Sequence, residues 1–94
     1  MTITDRLEKD AVERLRRVEG QIRGIMKMIQ ERRYCIDVVL QVAAAEAALH
    51  KVGELILRNH IETCVMEAFR SGRKKEVQEK VDELMAVYAK FRPR

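Results

Sequence analysis

Between Ile36 and Ile56 the chain carries two apolar stripes at once. Val38, Val42, Ala45, Leu49, Val52 and Ile56 recur at three- and four-residue spacing, while Ile36, Leu40, Ala43 and Ala47 do the same on a neighbouring face. That spacing is the period of an α-helix. A helix with two faces to hide needs two partners, and a 94-residue chain is short of material to supply both, since a domain under about 100 residues buries only about two-thirds or less of its unfolded surface. The stretch therefore asks for an all-α fold that associates with further copies. Ala43, Ala44, Ala45, Ala47 and Ala48 let neighbouring backbones come close and are the strongest helix formers. Gly53 is the one interior weak point, costing about 1 kcal/mol relative to alanine. One continuous helix is predicted from Ile36 to Arg70.

The flanking segments are helical too. Thr4 is placed to cap a first helix, with Asp5 and Glu8 in the first turn where the macrodipole favours acids. Leu15, Val18, Ile22, Ile25 and Ile29, widened by Met26, paint one stripe along it, so the first helix is read from Asp5 to Glu31. The break over Glu31 to Tyr34 holds no Gly or Pro and is read from the change of phase. Ser71-Gly72 ends the second helix, Gly72 being suited to a left-handed C′ position. A short third helix follows from Lys74 to Phe91, with Val77, Val81, Leu84, Met85 and Tyr88 at helical spacing and Pro93 beyond it. One Pro, four Gly and no period-two alternation argue against strands, and residues 1–94 read as a single three-helix domain.

The longest uncharged run, Val38 to Ala45, is far short of the roughly 18 to 20 apolar residues that span a bilayer. Asp5, Glu8 and Asp10 at the start do not fit a signal peptide, so a cytoplasmic location is expected, with no membrane partner. Two cysteines are too few for a disulfide framework and should be free thiols there. The net charge of +4 is uneven: Lys and Arg exceed Asp and Glu in residues 1–34 and 71–94, while acids prevail in residues 35–70. Basic ends suit a polyanion, because phosphates attract Lys and Arg irrespective of sequence.

Cys35, His60 and Cys64 are the residues with chemistry to offer. His60 and Cys64 are four apart, about 40° around a helix axis, so both can reach one ion. Thiolate and imidazole suit Cu(I) or Zn(II) rather than oxygen-seeking cations. Cys35 lies 25 residues from His60, about 37 Å along an unbroken helix, so the three cannot share an ion within one chain. An antiparallel second copy crossing near Leu49 brings its Cys35 beside this chain's His60 and Cys64, giving two symmetric sites. The plainer alternative is that each thiol is a small buried hydrophobe. A Cys/His nucleophile pair is a poor reading, because no Gly-rich turn offers an oxyanion hole and so small a helical chain offers no substrate pocket. Arg14, Arg17 and Gln21 share about 60° of the first helix beside the apolar stripe. Lys51 is an isolated cation in the acidic middle.

The run RLRRVEGQIRGIMKMI at residues 14–29, Tyr34-Cys35, and HIETC at residues 60–64 resemble the CsoR/RcnR family of bacterial metal-sensing transcriptional repressors over nearly the whole chain. The resemblance implies an all-helical protomer, an antiparallel dimer, a dimer-of-dimers homotetramer, and operator double-stranded DNA released when ligand binds. Cys35, His60 and Cys64 match the ligand pattern of copper-sensing members position by position, which implies Cu(I). Nickel/cobalt sensors instead carry an N-terminal His and a His where Cys64 stands, and formaldehyde-sensing members lack the second Cys. Persulfide-sensing members keep both cysteines without the His, and a Cys35–Cys64 crosslink between chains is the alternative reading. In copper sensors a Tyr beside the first Cys and a Glu on the third helix surround the His. Tyr34 matches the first, and Glu76, Glu79 and Glu83 are candidates for the second, of which Glu76 is assigned. Arg14, Arg17 and Lys51, with Gln21 beside them, resemble the family's DNA-contacting residues.

Overall fold

The computed structural model describes residues 3–91, so Pro93 lies outside the described residues. Every regular element among them is helical: α1 (Asp5–Gln30), α2 (Cys35–His60), a single π-helical turn (Ile61–Val65), α3 (Met66–Ser71) and α4 (Lys74–Phe91). Helical dihedrals continue through Ile61, Val65 and Met66, so α2, the π turn and α3 form one rod from Cys35 to Ser71. The second helix thus follows the predicted path, with the π turn as the departure from it. There the N–H of Met66 reaches the carbonyl of Ile61, five residues back. Such widened turns are rare and cluster at functional sites.

α1 begins where Thr4 places it, its hydroxyl accepting from the Leu7 N–H at 3.2 Å. It ends in a left-handed residue that is not glycine. Arg32 has φ 55°, and the N–H groups of Arg32 and Arg33 donate to the carbonyls of Ile29 and Met28 at 3.1 and 2.9 Å. This is the paired pattern of a Schellman motif, which normally recruits Gly at that position. The second such residue is Gly72, φ 69°, closing α3 as its type predicts.

The four-residue turn folds α1 back on α2, so that Thr4, Leu7 and Asp10 share a groove with Leu55, Arg58 and Asn59. Ala11 and Val18 of α1 and Ala45 and Val52 of α2 are buried between them, and Val65 and Ala68 are buried further along the rod. Of the first stripe, Val38, Ala45, Val52 and Ile56 are buried or half-buried on the face of α2 turned to α1, whereas Val42 and Leu49 are 39% and 51% exposed. The other stripe stays open: Ile36 is 53% and Leu40 60% exposed, and Ala43 and Ala47 are exposed between them. Ile22, Met26 and Ile29 leave a second apolar strip open along α1. The result is a flat body of 58 × 28 × 12 Å, too thin to enclose a core of its own. No helix among the described residues is long and apolar enough to cross a membrane.

The two left-handed positions give opposite expectations. Arg32→Gly should stabilise the protein by about 1 kcal/mol, and Gly72→Ala should destabilise it by about the same amount. Denaturant unfolding of the two variants beside the parent checks both signs.

Candidate functional site

The three ligand candidates occupy the two ends of the α2 rod. Cys35 is the first residue of α2 and is exposed, beside Tyr34, which precedes the helix without a side-chain capping bond. His60 is the last residue of α2, and Cys64, half-buried, lies in the π turn that follows. No group of three His, Cys, Asp or Glu side chains able to hold a metal forms within one chain among the described residues. This is the separation that the length of the rod dictates.

The His60 end is organised. Its Nε2 meets Oε1 of Glu83 on α4 at 3.2 Å, and the side chain is only 17% exposed. Its Nδ1 is buried with no hydrogen-bond partner. A carboxylate accepts only, so Glu83 selects the tautomer with the proton on Nε2 and leaves a bare lone pair on Nδ1. A buried lone pair without a partner is costly unless something binds it. The imidazole is therefore held ready to donate through Nδ1, its ring plane fixed by the carboxylate behind it.

Cys64 is held by its neighbour. The Thr63 hydroxyl donates to the Asn59 carbonyl at 2.8 Å and lies 3.5 Å from the Cys64 sulfur. With its only proton committed to Asn59, the hydroxyl accepts from the Cys64 S–H. A threonine bonded back to the carbonyl four residues earlier also bends a helix, and here it sits inside the π turn that sets the angle between His60 and Cys64.

The glutamate that reaches His60 is Glu83. Glu76, assigned from the resemblance, lies two turns earlier on α4, about 10 Å away along the axis. There it lies 3.3 Å from the Ser71 hydroxyl, which donates to the Ala68 carbonyl at 2.6 Å, and 4.0 Å from Arg73. The Gly72 turn resets the helical phase between α3 and α4, so counting from Cys64 could not fix which acid faces the imidazole.

The proposed DNA residues are split between the two long helices. On α1, Arg14 is half-buried and its Nε pairs with Asp10 at 3.1 Å, Arg17 is exposed and Gln21 is half-buried. On α2, Lys51 is exposed, with Glu54 at 3.8 Å. His50 on α2 stacks on Phe91 with ring centroids 4.3 Å apart and planes 9° from parallel.

A family model for the metal-sensitive transcriptional repressor matches residues 7–90. The copper-sensing transcriptional repressor CsoR of Bacillus subtilis is 40% identical over 85 residues, covering 89% of this chain and 81% of that one. The copper-sensing repressor RicR of Mycobacterium tuberculosis is 51% identical over 59 residues, 63% of this chain and 62% of that one. Among solved structures, copper-sensing CsoR with Cu(I) from Geobacillus thermodenitrificans superposes with a TM-score of 0.85 at 38% identity, covering 97% of this chain and 92% of that one. The nickel-responsive regulator InrS superposes at 0.77, also at 38% identity, covering 89% and 91%. With its all-helical architecture and its match from Leu7 to Lys90, the chain belongs to the metal-sensitive transcriptional repressor family.

Proposed function

We propose that this protein is a Cu(I)-responsive repressor that holds operator DNA when metal-free and releases it when Cu(I) binds a site shared between two chains. Cys35 of one copy and His60 with Cys64 of another are the ligands. The observation that carries this reading is the buried, unpartnered Nδ1 of His60, backed on the far side by Glu83. Two thiolates and one imidazole suit Cu(I), which accepts low coordination, whereas structural Zn(II) wants four ligands. Copper sensing in the CsoR and RicR relatives supports the same metal.

The open stripe of α2 accounts for the second chain. An antiparallel copy crossing near Leu49, itself half-exposed at 51%, covers Ile36 and Leu40 and brings each Cys35 to the partner's His60 end. The apolar strip on α1 offers a second surface for pairing dimers into a tetramer. Cys35 of one chain with His60 and Cys64 of the other would hold the ion, which would supply a tie between the two chains. Within each chain, Cys35 and Cys64 give up their thiol protons, His60 donates through Nδ1, and Glu83 keeps the Nε2 proton in place. Arg14, Arg17 and Lys51 supply phosphate contacts and Gln21 a polar one; Lys51 lies on α2, which carries ligands, and the others on α1, which packs against it. A coupling of about 1 to 3 kcal/mol between the metal and DNA sites is enough for regulation.

Anaerobic Cu(I) titration against protein bound to operator DNA should lower DNA affinity by at least about tenfold, and His60→Ala should blunt that response more than it weakens metal-free DNA binding. X-ray absorption should show two sulfurs and one nitrogen. Operator release driven by an interchain Cys35–Cys64 crosslink, with no response to copper, would replace this reading by persulfide sensing. Glu83→Ala should weaken copper binding by about tenfold or more while Glu76→Ala leaves it near the parent value. A dimer mixing a Cys35→Ala chain with a His60→Ala, Cys64→Ala chain should bind one Cu(I), where the parent dimer binds two.

A further inference from the structure

α4 touches the rest of the chain lightly. None of its residues is fully buried, and Val77, Val81 and Leu84 are only half-buried, so two contacts with α2 are left to fix its position along that helix. One is Glu83 on His60. The other is at its far end, where Phe91 lies over Gly53.

A side chain at residue 53 has no room. A Cβ built there would run into Cζ and Cε1 of the Phe91 ring. Gly53 weakens the middle of α2, and the notch it leaves is where the ring sits. His50, three residues earlier, stacks flat against the same ring, and Glu54 Oε1 meets its Nε2 at 3.2 Å. The ring is thus held by a notch on one side and an oriented imidazole on the other. Leu57, Ile61 and Tyr88 line the cleft between this clasp and the His60 end.

The two anchors are in register. From Gly53 to His60 is seven residues of α2, about 10.5 Å, and from Glu83 to Phe91 is eight residues of α4, about 12 Å. The helices run antiparallel, so seating Phe91 on Gly53 places Glu83 opposite His60.

We propose that Phe91, seated on Gly53 and stacked on His50, is a positioning residue that holds α4 along α2 so that Glu83 stays on His60 Nε2. This rests on the reading of His60 as the metal ligand, and it adds the part that sets the strength of the response. Freed at Phe91, α4 pivots on its Gly72 end. Glu83 then leaves the imidazole, both tautomers populate, and metal capture is less tightly tied to the position of α4.

The test uses the full-length protein and three variants. Gly53→Ala adds a methyl that evicts the ring while improving helix propensity, so a loss of response cannot be charged to a weakened helix. Phe91→Ala removes the ring. Gly53→Ala with Phe91→Leu pairs the added methyl with a smaller side chain and restores the fit. In metal-free protein, imidazole 15N NMR should show His60 in the Nε2–H form in the parent, mixed in each single variant, and largely recovered in the double variant. The ratio of operator affinities without and with Cu(I) should shrink about tenfold in the single variants and recover in the double. Single variants that keep both the parent tautomer and the parent copper ratio would overturn the proposal. If the parent itself ignores copper while Gly53→Ala still shifts the tautomer, the clasp stands and the copper reading falls.

Discussion

The stiffness of α2 governs the rest of the molecule. A helix of 26 residues holds its ends about 39 Å apart, and no bend brings Cys35 to His60, because the only irregularity is a π turn beyond His60. A metal that wants both thiols must therefore be met by two chains. The same rod presents one apolar stripe to α1 and another to nothing, so the surface that needs a partner and the site that needs a ligand make one demand. On the proposed reading, folding and sensing share an interface for that reason, and ligand binding acts directly on how two copies are held.

Much of this was legible in residue spacing. Thr4 and Gly72 announced their helix ends because each satisfies a backbone need that few other residues meet. The double stripe on α2 gave two apolar faces, and a single chain covers only part of them, leaving Ile36 and Leu40 exposed. What spacing could not show depended on geometry rather than residue type. Arg32 closes α1 in a conformation suited to Gly, its cost offset by two backbone bonds, so no local signal marks it. The π turn adds one residue to a helical turn without any Pro or Gly, the nearest hint being Thr63 with its back-bonded hydroxyl. The partner of His60 was lost at Gly72, where phase is reset and any of three glutamates could face the rod.

The π turn and Glu83 belong to one arrangement. A regular helix would fix His60 and Cys64 by its period alone. Widening the turn makes their relative angle adjustable, and the Thr63 hydroxyl then ties the adjusted turn to Asn59. On the other side Glu83 settles which nitrogen carries the proton. Both devices cost stability in a lone chain, through a wider turn and a bare buried nitrogen. Such costs persist where another partner offsets them.

On the proposed reading, the placement of α4 decides how much of that offset reaches the residues that would contact DNA. Arg14, Arg17 and Gln21 sit on α1 and Lys51 on α2, and α1 and α2 pack together through Val18, Ala45 and Val52. A change at the His60 end travels to these residues only if something turns a local bond into a movement of whole helices. α4 is suited to that, being long enough to act as a lever and lightly enough packed to move, with one end against the ligand imidazole and the other against α2 two residues from Lys51. A rigidly buried α4 would hold Glu83 as well but could not shift with it. On the proposed reading its sparse burial, which looks like weak packing in a single chain, is what lets occupation of His60 be felt elsewhere.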